Sequence, residues 1–420
     1  MYTLTDTAKA TILLCSHLAL TDRRYRPFTP LEWNKLGQIL VASEVKDPGN
    51  LLGMHAQEIS DALQLRKEEA ERIEALLARG ANVAMALDEL AKRAIFVITK
   101  SDAAYPARLK QILPPGKIPP LLFYCGNLSL ADSDGIAIVG SRDIDHEGEQ
   151  ETRKLAAEAV HEGFLVYSGG AKGVDSIAAQ SALAMGGRTV GFLADSLARR
   201  IKDKQTREGI QEGRILLLSA VLPSAGFSVG SAMARNKYVY ALSKAAFIIA
   251  SSKDRGGTWE GALESLKGDY APVYVWETDR YPGNRALLEK GAHPFSDAID
   301  WQAVKQGTIP ARQPEPSMDS LFTAPAVPDA EVSLTTSPAE TVSESPATTK
   351  VLPELAVFQA VWPLLYRALQ ESDSEKGLMD RLGKNVVKKQ LHIWLQLAIE
   401  RGLVVRRTHP VRYQLSQQQN

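Results

Sequence analysis

Four short segments carry the side chains that anion chemistry needs, at a spacing that suits it. Gly140-Ser141-Arg142 and Ser168-Gly169-Gly170-Ala171-Lys172-Gly173 each set a cation among glycines and hydroxyls. Arg235-Asn236-Lys237 adds two cations and an amide, and Arg255-Gly256-Gly257-Thr258 again puts a cation beside glycines and a hydroxyl. Glycine lets backbone amides come close to a ligand. Amides at a helix start, reinforced by the helix dipole, favour a phosphate or another anion. Any one of these glycines is equally well explained by a tight turn or by close helix packing. The repeated Arg or Lys beside them is not, so together the segments predict a phosphate-binding surface. Asp175 and Glu260 are the carboxylates expected nearest to it, and each suits helix capping or pairing with an arginine as well as it suits proton transfer. No catalytic residue, metal or cofactor is assigned. His146, His161 and His293 stand alone in the sequence and read as surface or packing residues.

For these segments to meet, they must lie along one edge of a sheet. Apolar runs at Ile136–Val139, Phe164–Tyr167, Thr189–Leu193, Ile215–Leu218, Ala246–Ala250 and Pro272–Val275 are separated by helix-length stretches, such as the amphipathic Thr152–His161. Strands alternating with helices imply a Rossmann-like, doubly wound parallel sheet, because parallel neighbours need crossover connections. In such a sheet ligands sit outside the carboxyl ends of the strands, where all four segments then fall. Ile95–Ile98 and Leu121–Tyr124 read as edge elements leading into it. The α/β domain is expected over residues 95–303.

Residues 1–94 read as a helical domain. Thr29-Pro30-Leu31-Glu32 combines an N-cap threonine, a proline at the first helical position and a glutamate three residues after the cap. Ala56–Leu63 and Lys67–Leu77 carry apolar residues at helical spacing, and Arg79-Gly80 reads as a helix stop. Residues 304–350, with seven prolines between Pro310 and Pro346 and few large apolar side chains, have the composition of a disordered tether. Residues 351–420 follow the order of a winged helix: helical segments at Leu352–Leu369, Glu375–Leu382 and Val386–Arg401, then a hairpin from Leu403-Val404-Val405 to Tyr413-Gln414-Leu415. Arg381 to Arg412 holds eight basic residues (Arg381, Lys384, Lys388, Lys389, Arg401, Arg406, Arg407, Arg412) against Glu400 alone. Such a face contacts phosphates, an acidic protein or only solvent.

Across all 420 residues 49 basic side chains balance 49 acidic ones, so nucleic-acid binding must come from local clusters and not from a chain-wide field. Cys15 and Cys125 are the two cysteines, which argues against a disulfide framework or structural zinc and for a reducing, cytoplasmic setting. The apolar patch Ala10–Leu20 lacks a basic lead and a cleavage site. No run reaches the roughly 18 apolar residues that a membrane span needs.

Ile138-Val139-Gly140-Ser141-Arg142, Ser168 through Asp175, Gly186-Gly187-Arg188-Thr189-Val190, Arg235-Asn236-Lys237 and Gly291-Ala292 resemble, in order and spacing, the signatures of the DNA-processing protein A (DprA/Smf) family. Tyr105-Pro106 and Pro120 through Gly126 resemble that family's lead-in, and the match covers residues 95–295. The resemblance implies a recombination mediator that is not an enzyme. Such a protein binds single-stranded DNA, forms a homodimer and loads a RecA-like recombinase. Ser141, Arg142, Ser168, Gly169, Lys172, Gly173, Arg235, Asn236 and Lys237 match the family's DNA-phosphate pocket. The chain departs from the family pattern at Ala178-Ala179-Gln180, at Arg255 through Gly261 and at Trp276-Glu277. Gly256-Gly257-Thr258-Trp259-Glu260 resembles instead the LOG-type phosphoribohydrolases, an alternative that needs Glu260 beside a ribose. A nucleotide-sensing module, as in antiviral defence, is a third reading of the same pocket.

Overall fold

A computed structural model of the chain places the eight apolar runs, together with His293–Phe295, in one nine-stranded sheet. The structure describes residues 4–307 other than 23 and 297, and towards the C-terminus residues 362, 365–370, 373–382, 391, 394–395, 398–399, 403–408 and 411–415. Two compact units are present, Met1–Leu321 and Phe322–Asn420.

The first unit opens with helices α1 (Asp6–Cys15), α2 (Pro30–Ala42), α3 (Ala56–Leu63), α4 (Lys67–Leu77) and α5 (Gly80–Ala91). α2 starts where its sequence signals a start. Thr29 Oγ1 accepts from the Glu32 amide at 3.3 Å, and the Glu32 carboxylate accepts from the Thr29 amide at 2.9 Å, a reciprocal cap that satisfies two otherwise orphaned donors. α4 ends at Leu77, just before the Arg79-Gly80 stop signal, and α5 then starts at Gly80. Gly80 lacks the positive φ of a helix-ending glycine. The Arg79 guanidinium instead turns back to donate to the carbonyls of Leu13 and Leu18, tying down the end of α1. Ile12, Leu40, Ile59 and Ile73 of these helices share one buried core with Phe123, Leu193 and Leu217 of the sheet.

The sheet follows as β1 (Phe96–Thr99), α6 (Ala107–Ile112), β2 (Leu121–Gly126), β3 (Gly135–Val139), α7 (His146–His161), β4 (Leu165–Ser168), α8 (Val174–Ala184) and β5 (Thr189–Leu193). After these come α9 (Leu197–Arg200), α10 (Lys204–Gln211), β6 (Ile215–Ser219), α11 (Val229–Leu242) and β7 (Ala245–Ile248). The unit closes with α12 (Gly257–Gly268), β8 (Val273–Trp276), α13 (Pro282–Glu289), β9 (His293–Phe295) and α14 (Trp301–Gln306). In space the order is β1-β2-β6-β5-β4-β3-β7-β8-β9. Pairing is parallel from β6 through β9, whereas β2 runs antiparallel to β6 and β1 antiparallel to β2. The sheet is therefore largely and not wholly parallel. Residues 127–134 between β2 and β3 include a short turn of helix (Leu128–Asp132) but are too few for a crossover, so β2 must end at the edge where β3 begins.

α7 begins six residues before its expected start because Asp145 accepts from the Gly148 amide at 2.9 Å, and Glu147 and Glu149 favour the positive end of the helix. α14 carries the unit past residue 303, with Val304 buried beside Phe247 and Phe295. Residues 308–350, most of the expected tether, lie outside the described residues. Among the described residues no helix is long and apolar enough to cross a membrane.

The second unit contains the helix Glu375–Leu382 and an antiparallel hairpin, Val404–Thr408 with Val411–Leu415. Leu365, Leu369, Leu378, Leu391, Leu395, Val404 and Tyr413 form its core. Arg412 is paired with Asp373 at 2.5 Å. Lys384, Lys388, Lys389 and Arg401 of the expected basic face lie outside the described residues, as do most of Leu352–Leu369 and Val386–Arg401.

Candidate functional site

From β3 the chain winds through β4, β5 and β6 on one side, then returns to place β7, β8 and β9 on the other. The strands diverge between β3 and β7, and in open α/β sheets that divergence leaves a crevice at the carboxyl ends. A cleft of about 400 Å³ opens there. Gly140, Ser141 and Arg142 come to it from the end of β3, Ala250 and Ser252 from the end of β7, Arg255 to Thr258 from the start of α12, and Arg235 and Asn236 from α11. Three arginines and one carboxylate, Asp175, line it, which leaves two positive charges in excess.

The two central loops are locked to each other. The Ser141 amide donates to Ala250 O at 2.9 Å, the Val174 amide donates to Ser141 O at 3.3 Å, and Ser141 Oγ accepts from the Asp143 amide at 3.2 Å. Ser141 thus fixes the loop, and Arg142 projects from it, its guanidinium 5.1 Å from the centre of the Phe227 ring. At α12 the cap position is Gly256, which supplies no side-chain hydrogen bond to the first turn. Gly256, Gly257 and Thr258 of that turn line the cleft, and a helix start without a side-chain cap suits an anion. Asn236 holds this end of α12 in place through a 2.7 Å bond from Nδ2 to Gly257 O.

The turn after β4 behaves differently from its sequence expectation. Its anion is internal: Asp175 Oδ2 accepts from the Gly169 amide at 3.0 Å and the Ala171 amide at 3.3 Å, and pairs with Arg235 Nη1 at 3.5 Å. Burial pushes the Asp175 carboxyl up, against the pull of Arg235 and of the two amides. Arg235 packs against Gly169, where an added Cβ would fall 0.9 Å from Nη1, so this glycine makes room for the guanidinium. The Gly170 amide donates to Ser168 Oγ at 3.0 Å. Ser168 and Gly170 border a separate hollow of about 160 Å³ beside α8 and α10.

The structure therefore brings Gly140, Ser141, Arg142, Arg235, Asn236, Arg255, Gly256, Gly257 and Thr258 to one cleft. Gly169 and Gly173 stand behind it as packing points. Lys172 is exposed outside its lining, and Lys237 faces the opposite side of α11. Glu260 is exposed in another groove, between α11 and α12, and does not line the cleft.

Two contributors escaped the sequence reading. Phe227, 53% exposed, stands in a loop of no regular period. Asn284 is fully buried: its Oδ1 accepts from the Ser251 amide at 2.9 Å, and its Nδ2 donates to Ile249 O at 2.9 Å and Trp276 O at 3.0 Å. One side chain thus joins the ends of β7 and β8 and shapes the loop that leads to Arg255. Asn284→Ala is expected to cost about 2–4 kcal/mol, since it orphans buried backbone groups. Urea denaturation measures this, and a loss under about 1 kcal/mol would remove Asn284 from the scaffold of the cleft.

A family model described as DNA recombination-mediator protein A matches residues 96–304. Protein Smf of Synechocystis sp. is 32% identical over 165 residues, 38% of this chain and 40% of that protein. DNA processing protein DprA of Streptococcus pneumoniae is 31% identical over 204 residues, 47% of this chain and 70% of that protein. The chain thus matches well under two thirds of the Synechocystis protein's length. The X-ray structure of DprA from S. pneumoniae is similar with a TM-score of 0.54 at 21% identity, covering 70% of this chain and 96% of that one.

Proposed function

The chain belongs to the DNA recombination-mediator protein A family, and from that premise we propose that it binds single-stranded DNA and presents it to a RecA-like recombinase. The observation that carries this reading is the cleft at the strand divergence, where Arg142, Arg235 and Arg255 outnumber Asp175 beside the uncapped start of α12. An open, positive crevice with unpaired amides suits a phosphodiester backbone. The exposed Phe227 ring beside Arg142 gives a base somewhere to stack. Hydrolysis of a nucleotide would need a carboxylate free to act, whereas Asp175 is committed to Arg235 and to two amides. In this reading the protein works in the cytoplasm as a homodimer, and residues 351–420 form a winged helix that adds a second phosphate contact.

Titration with fluorescent oligo-dT at several salt concentrations, beside mononucleotide competitors, tests the proposal. The double variant Arg142→Ala/Arg255→Ala is expected to bind at least about tenfold more weakly. Its salt dependence should flatten by roughly 0.7 in log–log slope for each phosphate that the variant no longer neutralises. Unchanged affinity in the double variant, or wild-type binding that a mononucleotide abolishes at equal concentration, would sink the proposal.

A further inference from the structure

α11 stands between two concave surfaces. Val229, Ala232, Met233, Asn236 and Tyr240 border the cleft, whereas Gly230, Ser231, Ala234, Lys237 and Tyr238 border a second hollow of about 740 Å³. That partition is the one a 3.6-residue period produces, and Arg235 borders both surfaces. The second hollow lies between the N-terminal helical layer and the sheet. Its walls include Phe28, Leu31, Phe123, Phe192, Leu222 and Tyr238. Its charged lining is Arg26, Lys117, Arg235 and Lys237, with no carboxylate among the described residues that line it. Its volume falls within the roughly 300–1,000 Å³ of small-molecule pockets, which are likewise mostly apolar with a few placed polar groups.

Three of those cations are already engaged elsewhere, among them Arg235 with Asp175 at 3.5 Å. Arg26 pairs with Glu32 at 2.6 Å, and Lys117 bonds to Glu264 at 2.7 Å and to Tyr270 Oη at 2.8 Å. Lys237 has no ion pair within 4.0 Å among the described residues and is half-buried. Burial holds its ammonium below the usual lysine range, and the Lys117 charge adds to that against the pull of Glu264. Arg235 Nε is buried without a hydrogen-bond partner. An anion beside Lys237 would replace the hydration that its ammonium has lost. Aromatic walls next to an anion seat select a ligand with both features.

We propose that this hollow is a second binding site, on the far side of α11 from the cleft, for an aromatic anion of nucleoside-monophosphate size. Its phosphate sits at Lys237, and its base lies among the apolar walls. The site is independent of the single-stranded DNA reading and stands or falls separately from it.

Calorimetric titration of the full chain with AMP, adenosine and inorganic phosphate tests the assignment. One AMP is expected per chain, with adenosine and phosphate each weaker by about tenfold or more. Lys237→Ala should weaken AMP by a similar factor, and Lys237→Arg should retain most of the affinity. Ala234→Trp, a change at an exposed position, should abolish binding by filling the hollow. Thermal melting checks that each variant is folded, and the tryptophan and arginine variants decide the matter if Lys237→Ala is not. Three results would overturn the proposal: no AMP binding at millimolar concentration, phosphate binding as tightly as AMP, or AMP binding that survives Ala234→Trp and is lost with Arg142→Ala. The last would put the nucleotide in the cleft.

Discussion

Replacing Arg235 with alanine is expected to destabilise the first unit by about 3–5 kcal/mol at neutral pH and to remove most oligonucleotide binding. The Arg235 side chain is 10% exposed and that of Asp175 is 7% exposed. Truncation would leave a carboxylate in the interior with two amides for company. Its folded-state pKa, already raised by burial, loses the guanidinium that opposed the rise. A group whose pKa is raised on folding contributes its stability below the unfolded value of about 3.9, and loses it as pH climbs through the folded value. The deficit of Arg235→Ala should therefore be largest near neutrality and shrink as pH falls towards 4. Asp175→Asn on the same background should recover part of it at pH 7, because the amide oxygen still accepts from Gly169 and Ala171 without carrying charge. Urea denaturation of the single and double variants at pH 7 and pH 4 measures both effects. Equal midpoints for the two variants at pH 7 would show that Asp175 is not what Arg235 compensates.

That pair marks the limit of what could be read from sequence. Eight of the nine strands were legible because the central parallel strands are buried on both faces and so read as unbroken apolar runs, as in Ile136–Val139 or Ile215–Leu218, whereas the short, part-exposed edge strand β9 has no such run. The start of α2 was legible because its cap is local, with Thr29 and Glu32 three residues apart. Convergence of Arg142 and Arg255 followed from topology, since strand ends in a doubly wound sheet share an edge, whereas Arg235-Asn236-Lys237 lies inside α11 and not in the turn that the sequence suggested. Side-chain direction did not follow. Arg235 and Lys237 are two residues apart on a helix, so they project some 200° apart, and spacing alone does not say which one faces the cleft. The arginine-pairing role offered for Asp175 holds, but its capture of the Gly169 and Ala171 amides did not follow, because an acid in the same short motif as glycine-rich amides reads equally well as a helix cap. Asn284 acts across a gap of 33 residues to Ser251, which no local pattern encodes. The order of β1 and β2 was hidden for a similar reason: strand direction depends on where the connection must end, and an apolar run has no direction.

Gly173→Ala is expected to weaken oligo-dT binding by at least about tenfold and to cost roughly 2–4 kcal/mol of stability. Gly173 has φ +74° and ψ −133°, a conformation that an L side chain rarely adopts. Space is also lacking. An added Cβ would lie 2.4 Å from Ser141 O, 2.6 Å from Arg142 O and 2.7 Å from Arg142 Cα. All three are backbone atoms, so no side-chain rotation relieves the clash and the two loops must part. The Val174 to Ser141 hydrogen bond then lengthens, and the loop that aims Arg142 over Phe227 loses its anchor. A glycine at the end of β4's turn therefore sets the position of an arginine at the end of β3, which explains why both motifs are needed on one rim. Gly186→Ala supplies the control, because Gly186 has a similar φ of +75° but open space around its Cβ position. It should cost about 1 kcal/mol from backbone strain alone and leave oligonucleotide affinity within about twofold. If Gly173→Ala is destabilised and still binds oligo-dT as tightly as the Gly186→Ala control, the loop that carries Arg142 does not position the DNA backbone.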